Sequence, residues 1–199
     1  MISSFLKPSV TRVITPAAQG ALKVGLTPDA VTVLGAVGVI SSALYFYPSG
    51  KYFLGTLVIC FFALSDLFDG TMARISNKGA SAWGSFLDST IDRITDASIL
   101  IGLILGLVKA GDSLIPVVLL ALITGALIPY IRAKAESLNI PCSGGIAERT
   151  ERVVIALTAI GLEGLRIPYA LAVGMWVLTV LGCITVIQRV VIVRNATKR

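Results

Sequence analysis

Apolar residues along this chain come in long continuous runs rather than in alternation. Six stretches stand out, at residues 31–46, 52–67, 87–108, 114–131, 153–165 and 169–193. None shows the period-two pattern of a lipid-facing barrel strand, so each predicts a helix. The pattern predicts an all-α integral membrane protein with six transmembrane helices. Several runs fall short of the roughly 20 residues that a perpendicular span needs, which predicts polar helical extensions projecting beyond the hydrocarbon. Residues 1–25 differ in kind. There Phe5, Val10, Val13, Ile14 and Leu22 are interleaved with Lys7, Arg12 and Lys23, the pattern of an amphipathic juxtamembrane helix lying in the interface. An apolar leader with a small-residue cleavage site is not seen, so no signal peptide is expected. The domain organisation read from the pattern is this interfacial helix over 1–25 followed by one six-helix domain over 26–199.

Composition turns the pattern into a statement about solvent. The chain has 199 residues, of which 55% are hydrophobic and only 14% charged, with a mean hydropathy of +0.88. Soluble domains carry about a quarter charged residues, so the bilayer is the expected solvent. Cys60, Cys142 and Cys183 are far apart and show neither a disulfide framework nor metal-ligand spacing. Histidine is absent, which removes the commonest general base and every Ser-His or Cys-His nucleophile. With the N-terminus inside and six alternating spans, 14 of the 17 lysines and arginines fall on the cytoplasmic side, and only Lys51, Lys109 and Arg166 fall outside. That asymmetry predicts a multi-pass protein of the cell membrane with both termini in the cytoplasm. The net charge of +6 then needs no nucleic-acid partner, and suits membrane lipid headgroups or a phosphorylated substrate.

The acidic residues are concentrated. Five of the 11, Asp66, Asp69, Asp88, Asp92 and Asp96, fall between positions 66 and 96. Asp66 and Asp69 are spaced i, i+3, and Asp88 and Asp92 i, i+4, so each pair shares a helix face. Both pairs fall at the cytoplasmic ends of antiparallel spans. Four converging carboxylates at a membrane boundary would repel one another and carry a large desolvation cost, which a divalent cation removes. Hard oxygen ligands without histidine or thiolate suit Mg²⁺, or Mn²⁺ as its alternative. A single aspartate here would read as a helix cap or a partner of Arg74 or Arg93; four at this spacing point to metal.

The segment SDLFDGTMARISNKGASAWGSFLDSTID resembles the signature of the CDP-alcohol phosphotransferases, through Asp66-x2-Asp69-Gly70-x2-Ala73-Arg74 and Gly84-x3-Asp88-x3-Asp92. The Arg74 to Gly84 spacing is one residue longer than the pattern most often shows. The resemblance implies a six-helix membrane enzyme, usually a homodimer, that releases CMP from a CDP-linked lipid as an alcohol takes over the phosphatidyl group. It implies that Asp66, Asp69 and Asp88 hold metal, expected as two ions, and that Asp92 joins them and acts as the catalytic base. It further implies nucleotide or pyrophosphate contacts from Asp29, Ala30, Val31 and Thr32, in the run LTPDAVT, and from Gly70, Arg74 and Ser81. On its own, Thr27-Pro28-Asp29 reads simply as a helix start.

A second group of charges concerns the acceptor. Arg132, Lys134, Arg149 and Arg152 lie in or beside the second cytoplasmic loop, and Arg189 lies inside the last apolar run. A cation within an apolar helix is a functional candidate, and converging cations bind a phosphate dianion through charge-assisted hydrogen bonds. Equally, these residues could serve as topology markers with Glu136, Glu148 and Glu151 as surface partners. The segments YIRAKAE, GGIAERTER and GMWVLTVLGCITVIQR resemble the actinobacterial phosphatidylinositol phosphate synthases, although that family often has Lys then Arg where this chain has Arg132 then Lys134. This implies CDP-diacylglycerol as donor and inositol phosphate as acceptor, with the five basic residues around the acceptor's phosphate. Phosphatidylglycerophosphate synthesis from glycerol 3-phosphate is the nearest alternative. A cation transporter is the alternative of another class, disfavoured because no internal repeat is found and the aspartates sit at helix ends. Gly102 and Gly106, spaced as G-x-x-x-G, permit close helix packing between protomers or within one.

Overall fold

The structure, a computed structural model, describes residues 15–16, 18–20, 22–23, 25–75 and 81–198, the side chains of Asp66 and Leu67 excepted. Most of the interfacial helix expected over 1–25 lies outside these residues; the described ones before residue 24 are helical. From Pro28 onward the order is α1 (Pro28–Phe46), a 3-10 turn (Tyr47–Ser49), α2 (Tyr52–Ala63), α3 (Ser65–Ile75), α4 (Ala82–Ala110), α5 (Ile115–Ser137), α6 (Arg149–Gly164) and α7 (Ala170–Ala196). Among the described residues there is no strand, as the continuous apolar runs require.

Among the described residues, four helical stretches are long and apolar enough to cross a membrane: Pro28–Ser49, Tyr52–Ile75, Ile115–Ser137 and Ala170–Ala196. The other two expected spans fall on α4 and α6. In α4 the apolar run shares its helix with Arg93, Asp96 and Lys109, and α6 is only 16 residues long. The second expected span is divided into α2 and α3 by a turn at Leu64.

Apolar side chains face outward as well as inward, as expected where lipid is the solvent. In α5, Leu119, Leu120, Ile123, Leu127 and Tyr130 are exposed, while the buried face carries Val118, Ala121, Thr124, Ile128 and Ala135. Lipid tails are as apolar as leucine, so helices in a bilayer associate through close packing of small residues and through hydrogen bonds.

The chain divides into two compact units, Met1–Ser42 with Val58–Thr95, and Ala43–Leu57 with Asp96–Arg199. In the first, α1 approaches α2 and α3 so closely that a Cβ at Gly35 would collide with the Ser65 side chain and one at Gly38 with the Phe62 ring. In the second, α5 and α6 both pack on α7. The Thr179 hydroxyl donates to the Val117 carbonyl at 3.0 Å, and a Cβ at Gly182 would meet Thr124 Oγ1 at 2.6 Å. Gly102 and Gly106 pack within this chain, against the backbone of Ala43 and Tyr47.

Candidate active site

The first unit contains a cavity of about 300 Å³ lined by Pro28, Asp29, Thr32, Asp69, Gly70, Ala73, Ser81, Gly84, Ser85 and Asp88. Local sequence explains how its walls are built. Thr27 caps α1, its Oγ1 accepting the Ala30 N–H at 3.2 Å, and Pro28 occupies the first turn, where a missing N–H costs nothing. The first turn of α1 therefore presents Asp29 and, three residues later on the same face, Thr32. Ser81 does the same for α4, its Oγ accepting the Gly84 N–H at 2.8 Å; Ser85 and Asp88 follow on the next turns. α3 supplies Asp69, Gly70 and Ala73.

Asp69 is only 7% exposed, and the Thr32 hydroxyl, which also lies 3.1 Å from the Pro28 carbonyl, donates to its Oδ2. That contact ties α1 to α3 in the cavity lining. A Cβ at Gly84 would come to 3.0 Å from Ser81 Oγ and 3.4 Å from Asp29 Oδ1, whereas one at Gly70 would meet nothing within 4 Å. Gly84 thus lets α4 approach Asp29, and Gly70 leaves the interior open.

Of the residues expected from the sequence to bind nucleotide or metal, Asp29, Thr32, Asp69, Gly70, Ser81 and Asp88 line this one cavity. Ala30, Val31, Arg74 and Asp92 do not. The Arg74 Nε donates to the Gly70 carbonyl at 2.9 Å, so it braces the cavity wall. Asp92 lies one turn beyond Asp88 in α4, with its Oδ2 3.6 Å from Arg93 Nη2. Asp66 lies in the first turn of α3, its side chain outside the described residues. Ser85 was not foreseen, because a serine one residue after the signature glycine carries no pattern of its own. Among the described residues no three Asp, Glu, His or Cys side chains form a metal-holding group. The donors that line the cavity are carboxylates and hydroxyls, without thiolate or imidazole, and this set fits a hard divalent cation.

The second unit holds the basic residues, and its four candidate arginines each donate to a protein acceptor. Arg189, 5% exposed, donates from Nε to the Gly144 carbonyl at 2.9 Å and from Nη1 to the Ile128 carbonyl at 2.7 Å. Beside it, Gln188 Oε1 accepts the Ile146 N–H and Thr185 Oγ1 the Ala147 N–H. One polar stripe of α7 therefore holds the loop that leads into α6. Arg152, buried, donates from Nη1 to the Ala147 carbonyl at 3.0 Å. Arg149 Nε donates to Asp96 Oδ1 at 3.3 Å, and Arg132 Nε to Glu136 Oε1 at 2.8 Å. Lys134 is exposed in the last turn of α5. The sequence did not reveal that Arg189 is anchored to two backbone carbonyls, nor the role of Asp96, which is 53 residues from its partner.

An all-helical membrane protein that lines a cavity with carboxylates, hydroxyls and glycines has the features of an enzyme handling a phosphorylated lipid through divalent metal. The chain belongs to the CDP-alcohol phosphatidyltransferase family, whose model matches residues 25–188. It is 42% identical over 204 residues to the phosphatidylinositol phosphate synthase of Streptomyces avermitilis, spanning 98% of this chain and 83% of that protein. To the phosphatidylinositol phosphate synthase of Mycobacterium tuberculosis it is 41% identical over 188 residues, 92% of this chain and 86% of that one. The crystal structure of the M. tuberculosis enzyme with CDP-DAG bound matches with a TM-score of 0.86 at 41% identity, covering 92% of this chain and 94% of that chain. The same enzyme in complex with manganese and citrate matches at 0.85 and 41% identity, covering 90% and 88%.

Proposed function

We infer that this membrane enzyme transfers the phosphatidyl group of CDP-diacylglycerol to a hydroxyl of myo-inositol phosphate, giving phosphatidylinositol phosphate and CMP. The observation that carries the reading is the cavity in which Asp29, Thr32, Asp69, Gly70, Ser81 and Asp88 meet; the likeness to phosphatidylinositol phosphate synthases supports the choice of donor and acceptor.

The chemistry follows from the groups present. Asp29, Thr32 and Ser81 hold the cytidine nucleotide and Gly70 gives the diphosphate room, while Arg74 secures the Gly70 backbone. Asp66, Asp69, Asp88 and Asp92 would hold two Mg²⁺ ions, which when bound neutralise the diphosphate and the departing CMP. Asp92 takes the proton of the acceptor hydroxyl, the role open to a carboxylate in a chain without histidine. The hydroxyl oxygen bonds to the phosphorus that carries diacylglycerol, the bridging P–O bond breaks, and its electron pair leaves with CMP. Arg132, Lys134, Arg149, Arg152 and Arg189 favour a phosphorylated acceptor, because several cations on one face bind a phosphate dianion through charge-assisted hydrogen bonds that a neutral acceptor cannot make. The reading includes a cytoplasmic active site, both termini in the cytoplasm, an interfacial helix over 1–25, a six-helix domain over 26–199 and a homodimer.

The test supplies purified protein with CDP-diacylglycerol and Mg²⁺ and compares CMP release with inositol phosphate, inositol, glycerol 3-phosphate and serine. Release with inositol phosphate, lost on chelation, is expected. Release with glycerol 3-phosphate alone would overturn the acceptor, and ion flux in liposomes without CMP release would overturn the enzyme.

A further inference from the structure

We propose that Asp96 is a positioning residue for the acceptor's phosphate, acting through Arg149. The proposal rests on the reading of the basic residues as the acceptor pocket and deepens it.

Asp96 stands outside the signature that names the other four aspartates, and the transfer chemistry gives it no task. Its spacing nevertheless continues theirs, since α4 carries Asp88, Asp92 and Asp96 at intervals of four residues. A carboxylate in a membrane protein requires partners, and one here is Arg149, in the first turn of α6, at 3.3 Å from Nε to Oδ1. The pair is neither a surface ion pair nor a sealed one, with Asp96 23% and Arg149 32% exposed. Arg149 is thus covered enough to be oriented and open enough to be reached by a ligand.

Contact through Nε matters because a guanidinium is a planar fork. Holding its Nε edge fixes the plane and therefore the direction of the Nη edge, which a bidentate phosphate contact requires. Loss of the carboxylate would relax this constraint on the fork, and ordering it again would weigh against phosphate binding. The negative charge also offsets repulsion from Arg152, three residues further along the same helix. Among the arginines of this unit, Arg152 and Arg189 are oriented by backbone carbonyls. Arg149 is oriented by an acidic side chain that can be replaced without touching the backbone.

The experiment measures both substrates' KM and kcat for Asp96→Asn, Asp96→Glu, Arg149→Ala and the double variant Asp96→Asn/Arg149→Ala. Asp96→Asn is expected to raise the inositol phosphate KM about ten-fold, the scale of one charge-assisted hydrogen bond, with kcat and the CDP-diacylglycerol KM within about two-fold. Asp96→Glu keeps the charge but displaces it by one methylene, and should raise the same KM only about two- to three-fold. The double variant should bind inositol phosphate no worse than Arg149→Ala alone. An unchanged inositol phosphate KM in Asp96→Asn, alongside a raised one in Arg149→Ala, overturns the positioning role and leaves the pocket standing. An unchanged KM in Arg149→Ala removes that arginine from the pocket itself. Equal damage to both substrates marks Asp96 as merely structural and also overturns the proposal. If Asp96→Asn is not recovered folded, Asp96→Glu decides: a rise confined to inositol phosphate supports the proposal, and no rise or a shared rise overturns it.

Discussion

The two units of this protein solve the problem of polar groups in a membrane in opposite ways. In the first, the site is shaped by what is small: Gly70, Ala73, Gly84 and two serines stand around Asp29, Asp69 and Asp88, and a cavity results. In the second, it is shaped by what is held: Arg189 on two carbonyls, Arg152 on a third, Arg149 on Asp96 and Arg132 on Glu136. Carboxylates gathered at one place are suited to a cation and a diphosphate that arrive together. Cations already oriented by the protein are suited to a dianion that arrives with its own charge. On the proposed function, the contrast teaches that a metal-dependent donor site needs room, whereas a phosphate-recognition site needs orientation.

Substitutions can break this comparison from either side. The largest effect is expected at Asp92, where Asn should cut kcat about 10³-fold, the range for loss of a general base, while CDP-diacylglycerol binding persists; a normal kcat would assign the proton to another group. Next comes Gly84→Val. Its Cβ would lie 3.0 Å from Ser81 Oγ and 3.4 Å from Asp29 Oδ1, and its two methyls would narrow the cavity. The CDP-diacylglycerol KM should rise about ten-fold or more, since a small displacement of a reacting group is costly, with thermal unfolding in detergent little changed. On the other side, Arg189→Lys gives up the fork that reaches Gly144 and Ile128 together. It should lower stability by about 2–3 kcal/mol, the range for hydrogen bonds from a buried charged group, read as a fall in Tm. The smallest effect is expected at Arg132→Ala, whose pair with Glu136 is about half exposed (55% and 53%); stability should change by no more than about 0.5 kcal/mol, and a larger loss of Tm would show that this arginine is held as firmly as Arg189.

What could be read from the sequence followed what is local in the chain. Continuous apolar runs marked the helices, and the four-residue spacing of Asp88 and Asp92 marked one face of α4. The carboxylates were conspicuous because acidic residues are so rare here. Contacts between distant positions could not be read. Nothing in the sequence joins Asp96 to Arg149, or Gly144 to Arg189, because those pairings depend on tertiary packing. The turn at Leu64 was also hidden, since apolar residues continue through it and the break shows only in the backbone. Gly102 and Gly106 allowed two uses, and only the packing against Ala43 and Tyr47 assigns them to this chain's interior.

The central claim is a division of labour, with the aspartate cavity taking the nucleotide diphosphate and the basic cluster taking the phosphorylated acceptor. Titration of Asp88→Asn and Arg149→Ala with CDP-diacylglycerol plus Mg²⁺, and separately with inositol phosphate, tests it most directly. The account predicts that Asp88→Asn loses the first ligand and keeps the second, while Arg149→Ala does the reverse. Loss of both ligands in each variant, or the opposite assignment, would contradict it.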